Sequence, residues 1–310
     1  ATGIADAFVF VRSIPTQGFD AYYLSVAGGL PQRLSHFATK WQGVKEPLEM
    51  SFRSFDGLYI QGFLYLPPGV PDYRACPALV QVHGGGTNSY LQRQNLVEQY
   101  LASKGFVVMA INYRGGSGFG RAFQDLAVED WLNAQALDAG EAGDFLRRLP
   151  YTTDKVGIYG GSYGGSMSMA AIVLTPDKFD AAVPMRGAYS KTETFDQTDR
   201  LGKIFSLTGH GGFPDERPDV YAKSNTIEGI VNITAPVLLM HGERDQRVPF
   251  RHFELAVEAL KQYDKEFETK IRQTLQNHPD NTKGGPPKPG REPKSGGGGG
   301  GGFMCCGGPQ

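Results

Sequence analysis

Several features that define whole protein classes are scarce or missing in this 310-residue chain. It has three cysteines, Cys76, Cys305 and Cys306, and their spacing fits neither a disulfide framework nor a set of metal ligands. No apolar run is as long as a membrane-spanning helix requires. The charge is nearly balanced, with 31 basic and 32 acidic residues. We therefore predict no metal or other cofactor, no membrane partner and no nucleic-acid partner.

The beginning of the chain carries no recognisable targeting segment. It has no basic stretch followed by an apolar one, and no initiator methionine. We expect the chain to be a piece of a longer one, so its compartment is not predicted. Its hydrophobic content of 40% is enough for one large α/β domain and a small additional element.

Composition divides the chain into three segments. Residues 1–44 hold short β-branched and aromatic runs between Gly/Asp turns, which predicts a small β-meander. Residues 45–278 alternate apolar strands with helical stretches, which indicates a mostly parallel twisted sheet with helices on both faces. Within them, residues 191–228 form a polar insertion that we interpret as a lid or pocket wall. Residues 279–310 are rich in Gly and Pro, and we predict them to be disordered.

The most informative motif is G-x-S-x-G at residues 160–164, which lies between an apolar strand and a small-residue helix. In that context it predicts a nucleophile elbow with Ser162 at its tip. Side chains at Gly160 and Gly164 would collide with the neighbouring strand and helix in such a tight turn. The following helix would direct its N-terminus at a developing oxyanion. The alternative is a glycine-rich turn whose serine only caps a helix.

An elbow hydrolase needs two N–H donors directed at one point. The backbone of Tyr163, directly after the serine, supplies one candidate. The motif His83-Gly84-Gly85-Gly86 follows the strand ALVQV and supplies the second through Gly84 or Gly85. The alternative for this loop is a plain turn at the end of a strand.

The acid of such a site follows a later strand. Asp245 comes just after the apolar run APVLLMHG, and its carboxylate would orient an imidazole. Asp245 could instead cap the helix that starts near Phe250, and Glu243 is a less favoured substitute for the acid.

A histidine is expected last in the chain order. Among the six histidines, His278 is late enough, after the predicted last strand, although a base must lie within about 3 Å of its serine. His36 is too early, and His83 and His241 stand in glycine turns where structural roles are expected. His210 lies in the insertion, and His252 begins a helix too soon after Asp245.

Five segments occur in one order between Met50 and Tyr263: FRSFDGLYIQGFLYLPPG, HGGG, NYRGGSGFGRAF, YGGSYGGS and APVLLMHGERDQRVP. Together they resemble the prolyl oligopeptidase family of serine peptidases, especially its acylaminoacyl-peptidase and dipeptidyl-peptidase-like branches. The resemblance implies an α/β-hydrolase domain with Ser162 as nucleophile and Asp245 as acid. It also implies that residues 1–44 are a remnant of the N-terminal β-propeller of the family.

These observations predict a serine peptidase that hydrolyses short peptides through an acyl-enzyme. A carboxylesterase of the same fold is an alternative, because the HGGG loop and the elbow serve ester hydrolysis equally well. A catalytically impaired hydrolase is a third, since His278 stands in NHPDN before a Gly/Pro tail, whereas the family has a His-Gly loop and a final helix. Side-chain preference, the site of cleavage along a peptide and the oligomeric state are not predicted.

Overall fold

A computed structural model of the chain describes residues 2–4, 6–38, 43–69 and 75–272. The first part of the chain forms a four-stranded antiparallel sheet with strands in sequence order. Buried Asp20 holds this sheet together by accepting hydrogen bonds from the Ser35 hydroxyl (2.8 Å) and the Phe37 N–H (2.9 Å). The predicted small β-meander is confirmed, with an additional first strand that was not predicted. Its strands are β1 (Thr2–Ile4), β2 (Ala7–Ile14), β3 (Gln17–Ser25) and β4 (Gln32–Arg33).

The second sheet has eight strands in the order β12-β11-β10-β9-β7-β8-β6-β5. All neighbours from β12 to β8 run parallel, whereas β6 is antiparallel to both β8 and β5. The prediction of a mostly parallel α/β-hydrolase sheet is confirmed. The strands are β5 (Leu48–Arg53), β6 (Tyr59–Tyr65), β7 (Cys76–Val82), β8 (Val107–Asn112), β9 (Thr152–Gly161), β10 (Ala181–Met185), β11 (Val237–Gly242) and β12 (Phe267–Arg272).

Eight α-helices and one short 3₁₀-helix connect the strands in the described ranges. Three of them, α3, α4 and α8, pack with the sheet into the larger hydrophobic core, and α1 covers the other face. The helices are α1 (Leu96–Ser103), α2 (Arg121–Asp125), α3 (Asn133–Arg147), α4 (Tyr163–Leu174), α5 (Lys191–Thr194), α6 (Arg200–His210), α7 (Pro218–Lys223) and α8 (Arg251–Gln262), with the 3₁₀-helix at Glu228–Asn232.

Strand β8 shows why the sheet is covered on both sides. All six of its residues are buried. Val107, Met109 and Ile111 belong to the larger core, while Val108 and Ala110 belong to the smaller core beneath α1. Because successive side chains of a strand point to opposite faces, a continuous apolar run is what a sheet with two covered faces requires.

The largest differences from the predicted elements lie before α3 and in the insertion. The sequence predicts a helix from about Val128, but Glu129 and Leu132 have positive φ angles of 62° and 81°, so the helix begins only at Asn133. The insertion (residues 191–228) contains the three short helices α5, α6 and α7. The segment boundaries after residues 44 and 278 stay predictions, and residues 279–310 lie outside the described ranges.

None of the helices in the described ranges combines the length and the apolar character that crossing a bilayer requires.

Candidate active site

Ser162 occupies a sharp turn between β9 and α4. Its backbone has φ 59° and ψ −121°, a conformation that non-glycine residues rarely adopt. The turn is fixed by two hydrogen bonds, from the Ser162 N–H to the Met185 carbonyl and from the Ser166 N–H to the Ser162 carbonyl, both 3.0 Å. The Ser162 side chain makes no capping bond to α4, so the capping alternative does not describe this residue.

The glycines around Ser162 are needed for close backbone packing. A Cβ at Gly160 would lie 2.5 Å from the Val82 carbonyl oxygen and 2.6 Å from that of Gly164. A Cβ at Gly164 would lie 2.2 Å from the same Val82 oxygen. Strand β7 and helix α4 therefore approach the turn too closely for any side chain at these positions, which confirms the collision predicted from the sequence.

The glycine loop after β7 lies against the serine. A Cβ at Gly84 would be 2.8 Å from the Gly161 carbonyl oxygen and 3.5 Å from Ser162 Cβ. Among the described residues, no hydrogen bond uses the N–H of Gly84 or Gly85. The N–H of Tyr163 lies in the first turn of α4, where backbone donors lack partners within the helix. These three N–H groups are therefore available near Ser162.

His83 has a structural environment at the start of this loop. Its ring stacks on Tyr113 with 4.1 Å between ring centroids, and the Tyr113 hydroxyl donates to the His83 carbonyl at 2.7 Å. Burial lowers the pKa of His83 to about 4. The imidazole is therefore neutral near pH 7 and serves to hold the loop.

A mostly buried polar network is connected to the side chain of Tyr163 and ends at the exposed Asp56. The Tyr163 hydroxyl donates to Gln135, whose side-chain amide donates to the Arg114 carbonyl at 2.8 Å. The Arg114 guanidinium pairs with Asp138 and Asp56, each at 2.7 Å, and its hydrogen bond lowers the pKa of the Asp56 carboxyl. Each group in this network has a partner, so no buried charge is left unpaired. The network therefore fixes the side chain of Tyr163, the residue after Ser162.

Asp245 lies in the loop after β11 and is half-buried. Its Oδ1 accepts hydrogen bonds from the N–H groups of Arg247 (3.0 Å) and Val248 (2.9 Å). Helix α8 begins at Arg251 with Phe250 as its cap residue, so the interpretation of Asp245 as its cap is wrong. Within the described residues, Oδ2 of Asp245 has no hydrogen-bond partner, which leaves one carboxylate oxygen to accept a bond from an imidazole.

The sheet brings Ser162 and Asp245 to the same end of its parallel strands. Strand β10 pairs with β9 on one side and with β11 on the other, and all three run parallel. Ser162 follows β9 and Asp245 follows β11 by a few residues, so both lie at the carboxyl ends of strands that are two positions apart. At about 4.8 Å per strand, the two loops start roughly 10 Å from each other. Glu243, the less favoured acid, is exposed at the same edge.

Three histidines other than His83 are buried in the described part of the chain. The N–H of Tyr189 donates to Nδ1 of His252 at 3.1 Å, and Nε2 of His252 is 2.7 Å from the Thr194 hydroxyl. His210 uses Nδ1 with the Ser206 carbonyl and Nε2 with the Ser224 hydroxyl, both at 2.7 Å. His241 donates from Nε2 to the Val248 carbonyl at 2.9 Å.

Burial also decides the protonation of these rings. It lowers the pKa of His210 and that of His252 to about 3, and it lowers the pKa of His241 as well. Among the described residues, no histidine forms a hydrogen bond with Ser162 Oγ, although His252 lines the same cavity. His278, the predicted base, lies outside the described residues.

A cavity of about 220 Å³ opens beside Ser162. Ser162 and Tyr163 line it together with Lys191, Phe195 and Phe205 of the insertion. The insertion is therefore a pocket wall, as predicted. Trp131 and Lys191 also line the cavity, and they were not predicted because neither belongs to a motif that indicates it.

Comparisons with known proteins indicate the family to which this chain belongs. Residues 92–283 match the prolyl oligopeptidase family. Uncharacterized peptidase YtmA of Bacillus subtilis is 33% identical over 217 residues, which cover 69% of this chain and 79% of YtmA. Uncharacterized peptidase YuxL of the same organism is 31% identical over 224 residues, which cover 71% of this chain and 34% of YuxL.

The solved structure of an acylaminoacyl peptidase from Pyrococcus horikoshii is also similar. It superimposes with a TM-score of 0.75 at 25% identity, and the match covers 87% of this chain and 44% of that one. The chain thus spans about a third of one curated relative, less than half of this peptidase and most of a second relative. The family match, together with the sheet order and the serine turn, shows that this chain belongs to the prolyl oligopeptidase family.

Proposed function

We propose that this chain carries the catalytic domain of a serine peptidase that hydrolyses short peptides, with Ser162 as its nucleophile. The observation that carries the proposal is the backbone of Ser162, held at φ 59° between β9 and α4 at a position that lines the cavity. Strain of this kind persists only where the surrounding packing enforces it, and it is typical of functional positions.

In the proposed reaction, Ser162 Oγ attacks the carbonyl carbon of the substrate while His278 takes its proton. The negative charge that develops on the carbonyl oxygen is stabilised by the N–H of Tyr163 and that of Gly84 or Gly85. Asp245 orients the imidazole and stabilises its charged form. The C–N bond then breaks as His278 returns the proton to the leaving amine, and water releases the acyl group from Ser162 by the same steps.

His278 is proposed as the base for two reasons. The family match extends to residue 283 and therefore includes this histidine. The four buried histidines are held by other partners, and His36 is exposed in the N-terminal part of the chain. An imidazole is the group that would connect the serine hydroxyl to the carboxylate of Asp245, because one ring nitrogen can accept the serine proton while the other donates to the carboxylate.

Labelling with a fluorophosphonate probe tests the nucleophile. The full chain should be labelled on the peptide that contains Ser162, and Ser162→Ala should abolish labelling. Ser103→Ala removes a hydroxyl from the exposed side of α1 and is the matched control, which should label like the wild type. Absence of labelling in folded wild-type protein, or labelling that persists in Ser162→Ala, would refute the proposal.

A second comparison separates peptidase from esterase activity. Rates with an aminoacyl-p-nitroanilide and with p-nitrophenyl acetate should both depend on Ser162, and the proposed peptidase should cleave the anilide. Cleavage of the ester alone would favour the carboxylesterase alternative. His278→Gln should abolish turnover of both substrates, whereas His36→Gln should leave it unchanged; equal rates in the two variants would exclude His278 as the base.

A further inference from the structure

The ammonium group of Lys191 is buried in the wall of the cavity beside Ser162. Its Nζ has no hydrogen-bond partner among the described residues. A lysine ammonium is normally solvated or paired with a carboxylate, because burying an unpaired charge is costly. An orphaned cation at this place therefore requires a physical explanation, and none of the proposed chemical steps uses it.

Two aromatic rings hold the ammonium close to the reacting centre. Nζ lies 5.3 Å from the centroid of the Tyr163 ring and 5.6 Å from that of Trp131, distances at which a cation is attracted to the faces of the rings. Tyr163 directly follows Ser162 in the chain. Because Ser162, Tyr163 and Lys191 line one cavity, we expect a substrate side chain next to the attacked carbonyl to enter near the Lys191 ammonium.

The charged and titratable groups around Lys191 do not neutralise it. His210 of α6 and His252 of α8 are close enough to influence its charge, but burial keeps both neutral near pH 7. Arg247 also lines the cavity, and its guanidinium is paired with Asp199 at 2.6 Å. Glu193, on the same helix as Lys191, pairs with Arg251. Within the described residues, no carboxylate pairs with Lys191.

Lys191 can reach a ligand without a change of the fold. The residue as a whole is partly exposed, although its ammonium is not, so rotation about the outer bonds of this flexible side chain moves the ammonium from the rings into the cavity. Phe195 and Phe205 line the same cavity and would provide apolar contact for the aliphatic part of such a ligand.

We propose that Lys191 makes the cavity selective for an acidic side chain, so that the preferred peptides have Asp or Glu at the residue whose carbonyl Ser162 attacks. This inference rests on the proposed function, because it assigns the substrate class of the same site. A carboxylate would give the buried ammonium the partner that the protein itself does not supply. Substrates with a neutral side chain would leave it unpaired.

The proposed selectivity has a defined pH dependence. Burial lowers the pKa of Lys191 to about 7, so the free protein carries the charge below that pH and loses it above. A bound carboxylate favours the charged form and raises this pKa. Preference for the acidic side chain should therefore be largest near pH 6 and should decline as the pH rises above 7.

Calorimetric binding of two matched ligands tests the inference on the full chain. N-acetylglutamate α-amide and N-acetylglutamine α-amide have the same shape and differ in side-chain charge. At pH 6 the glutamate amide should bind at least about tenfold more tightly, since charge-assisted hydrogen bonds are about twice as strong as neutral ones. Lys191→Met keeps an unbranched side chain, one heavy atom shorter and without charge, and should abolish the preference, whereas Lys191→Arg should retain part of it.

Three results would overturn the inference: equal affinities at pH 6, no measurable binding of the glutamate amide, or a preference that survives in Lys191→Met. The wild-type comparison at pH 6 and pH 8.5 decides the question even if Lys191→Met does not fold. Because binding does not require a reactive serine, failure here is distinct from failure of the fluorophosphonate labelling that tests the proposed function.

Discussion

The two sides of the cavity are built in different ways. On one side, the turn at Ser162 is packed backbone against backbone, so that a single methyl group at Gly160 or Gly164 would overlap a carbonyl oxygen. In the insertion, side-chain contacts add to a few backbone hydrogen bonds, and one example is the ring of His210 stacked on Tyr221 with 4.0 Å between centroids. Backbone contacts leave no freedom for sequence change, whereas side-chain contacts allow it.

This difference indicates that the two sides of the cavity have different roles. The rigid side is built from β7, β9 and α4 of the core. It fixes the positions of the groups that the proposed chemistry needs. The insertion carries exposed apolar residues such as Phe205, which is 40% exposed, together with the orphaned Lys191. We therefore expect substitutions on the rigid side to affect folding and those on the insertion to affect ligand preference.

The largest effect is expected from Gly164→Ala. Its Cβ would lie 2.2 Å from the Val82 carbonyl oxygen and 3.0 Å from that of His83, and neither backbone group can move without displacing β7. We expect the free energy of unfolding to fall by about 3 kcal/mol or more, measured by urea denaturation. Gly242→Ala is the control, because a Cβ there meets no atom within 4 Å. Similar midpoints for the two variants would show that the turn is not rigid.

Asp245→Asn should separate chemistry from folding. Its side-chain oxygen can still accept from the N–H groups of Arg247 and Val248, so stability should change by less than about 1 kcal/mol. Loss of the charge should slow fluorophosphonate labelling and turnover by roughly 10²- to 10⁴-fold. Glu243→Gln removes an exposed charge from the same loop and should label like the wild type. Equal labelling of both variants would remove Asp245 from the proposed site.

The insertion should contribute a stability that depends on pH. Burial lowers the pKa of His210 to about 3 in the folded state, whereas an unfolded chain has a histidine pKa near 6.5. Between these values the unfolded state binds the additional proton, so stability is full above pH 6.5 and falls as the pH decreases, by about 1.4 kcal/mol per pH unit for each such group.

Urea unfolding between pH 7 and pH 4.5 measures this dependence. His210→Gln should have a slope that is smaller by about one proton, whatever its stability at pH 7. His36→Gln alters an exposed histidine and should retain the wild-type slope. If His210→Gln and the wild type show the same slope, the ring is not held neutral by the insertion.

The smallest effect is expected from Phe205→Ala. This ring lines the cavity but is partly exposed, so its loss should change stability by less than about 1 kcal/mol. KM for an anilide substrate should rise by a few fold, with little change in kcat, because the ring contacts ground state and transition state alike. Leu201→Ala is the control on the same helix, since Leu201 is exposed and does not line the cavity. An equal change in KM for both would show that the ring makes no specific contact.

Much of the fold could be predicted from the sequence because the signals are local. Continuous apolar runs such as the one in β8 indicate strands covered on both faces, and the glycines of residues 160–164 indicate the turn at Ser162. The start of α3 was predicted wrongly, because the positive φ angles at Glu129 and Leu132 oppose the intrinsic preferences of those residues. Only the tertiary packing around them imposes such angles.

The candidate site was predictable to a lesser degree. Motif order places Ser162, the glycine loop and Asp245 at strand ends, and strand ends of a parallel sheet meet at one edge. His278 stays a prediction. Sequence patterns could not predict the environments of the other histidines, because the partner of a ring nitrogen comes from a distant part of the chain. One example is Thr194, whose hydroxyl contacts His252.

The sequence by itself determined the class of fold, the turn at Ser162 and the order of the residues proposed for catalysis, since these follow from periodicity, glycine placement and chain order. Only the tertiary structure decided that Trp131 and Lys191 share a cavity with Ser162 and that the Lys191 ammonium is buried without a counter-charge. The physical reason is that burial and charge pairing are properties of all the elements around a side chain, which a local pattern does not encode.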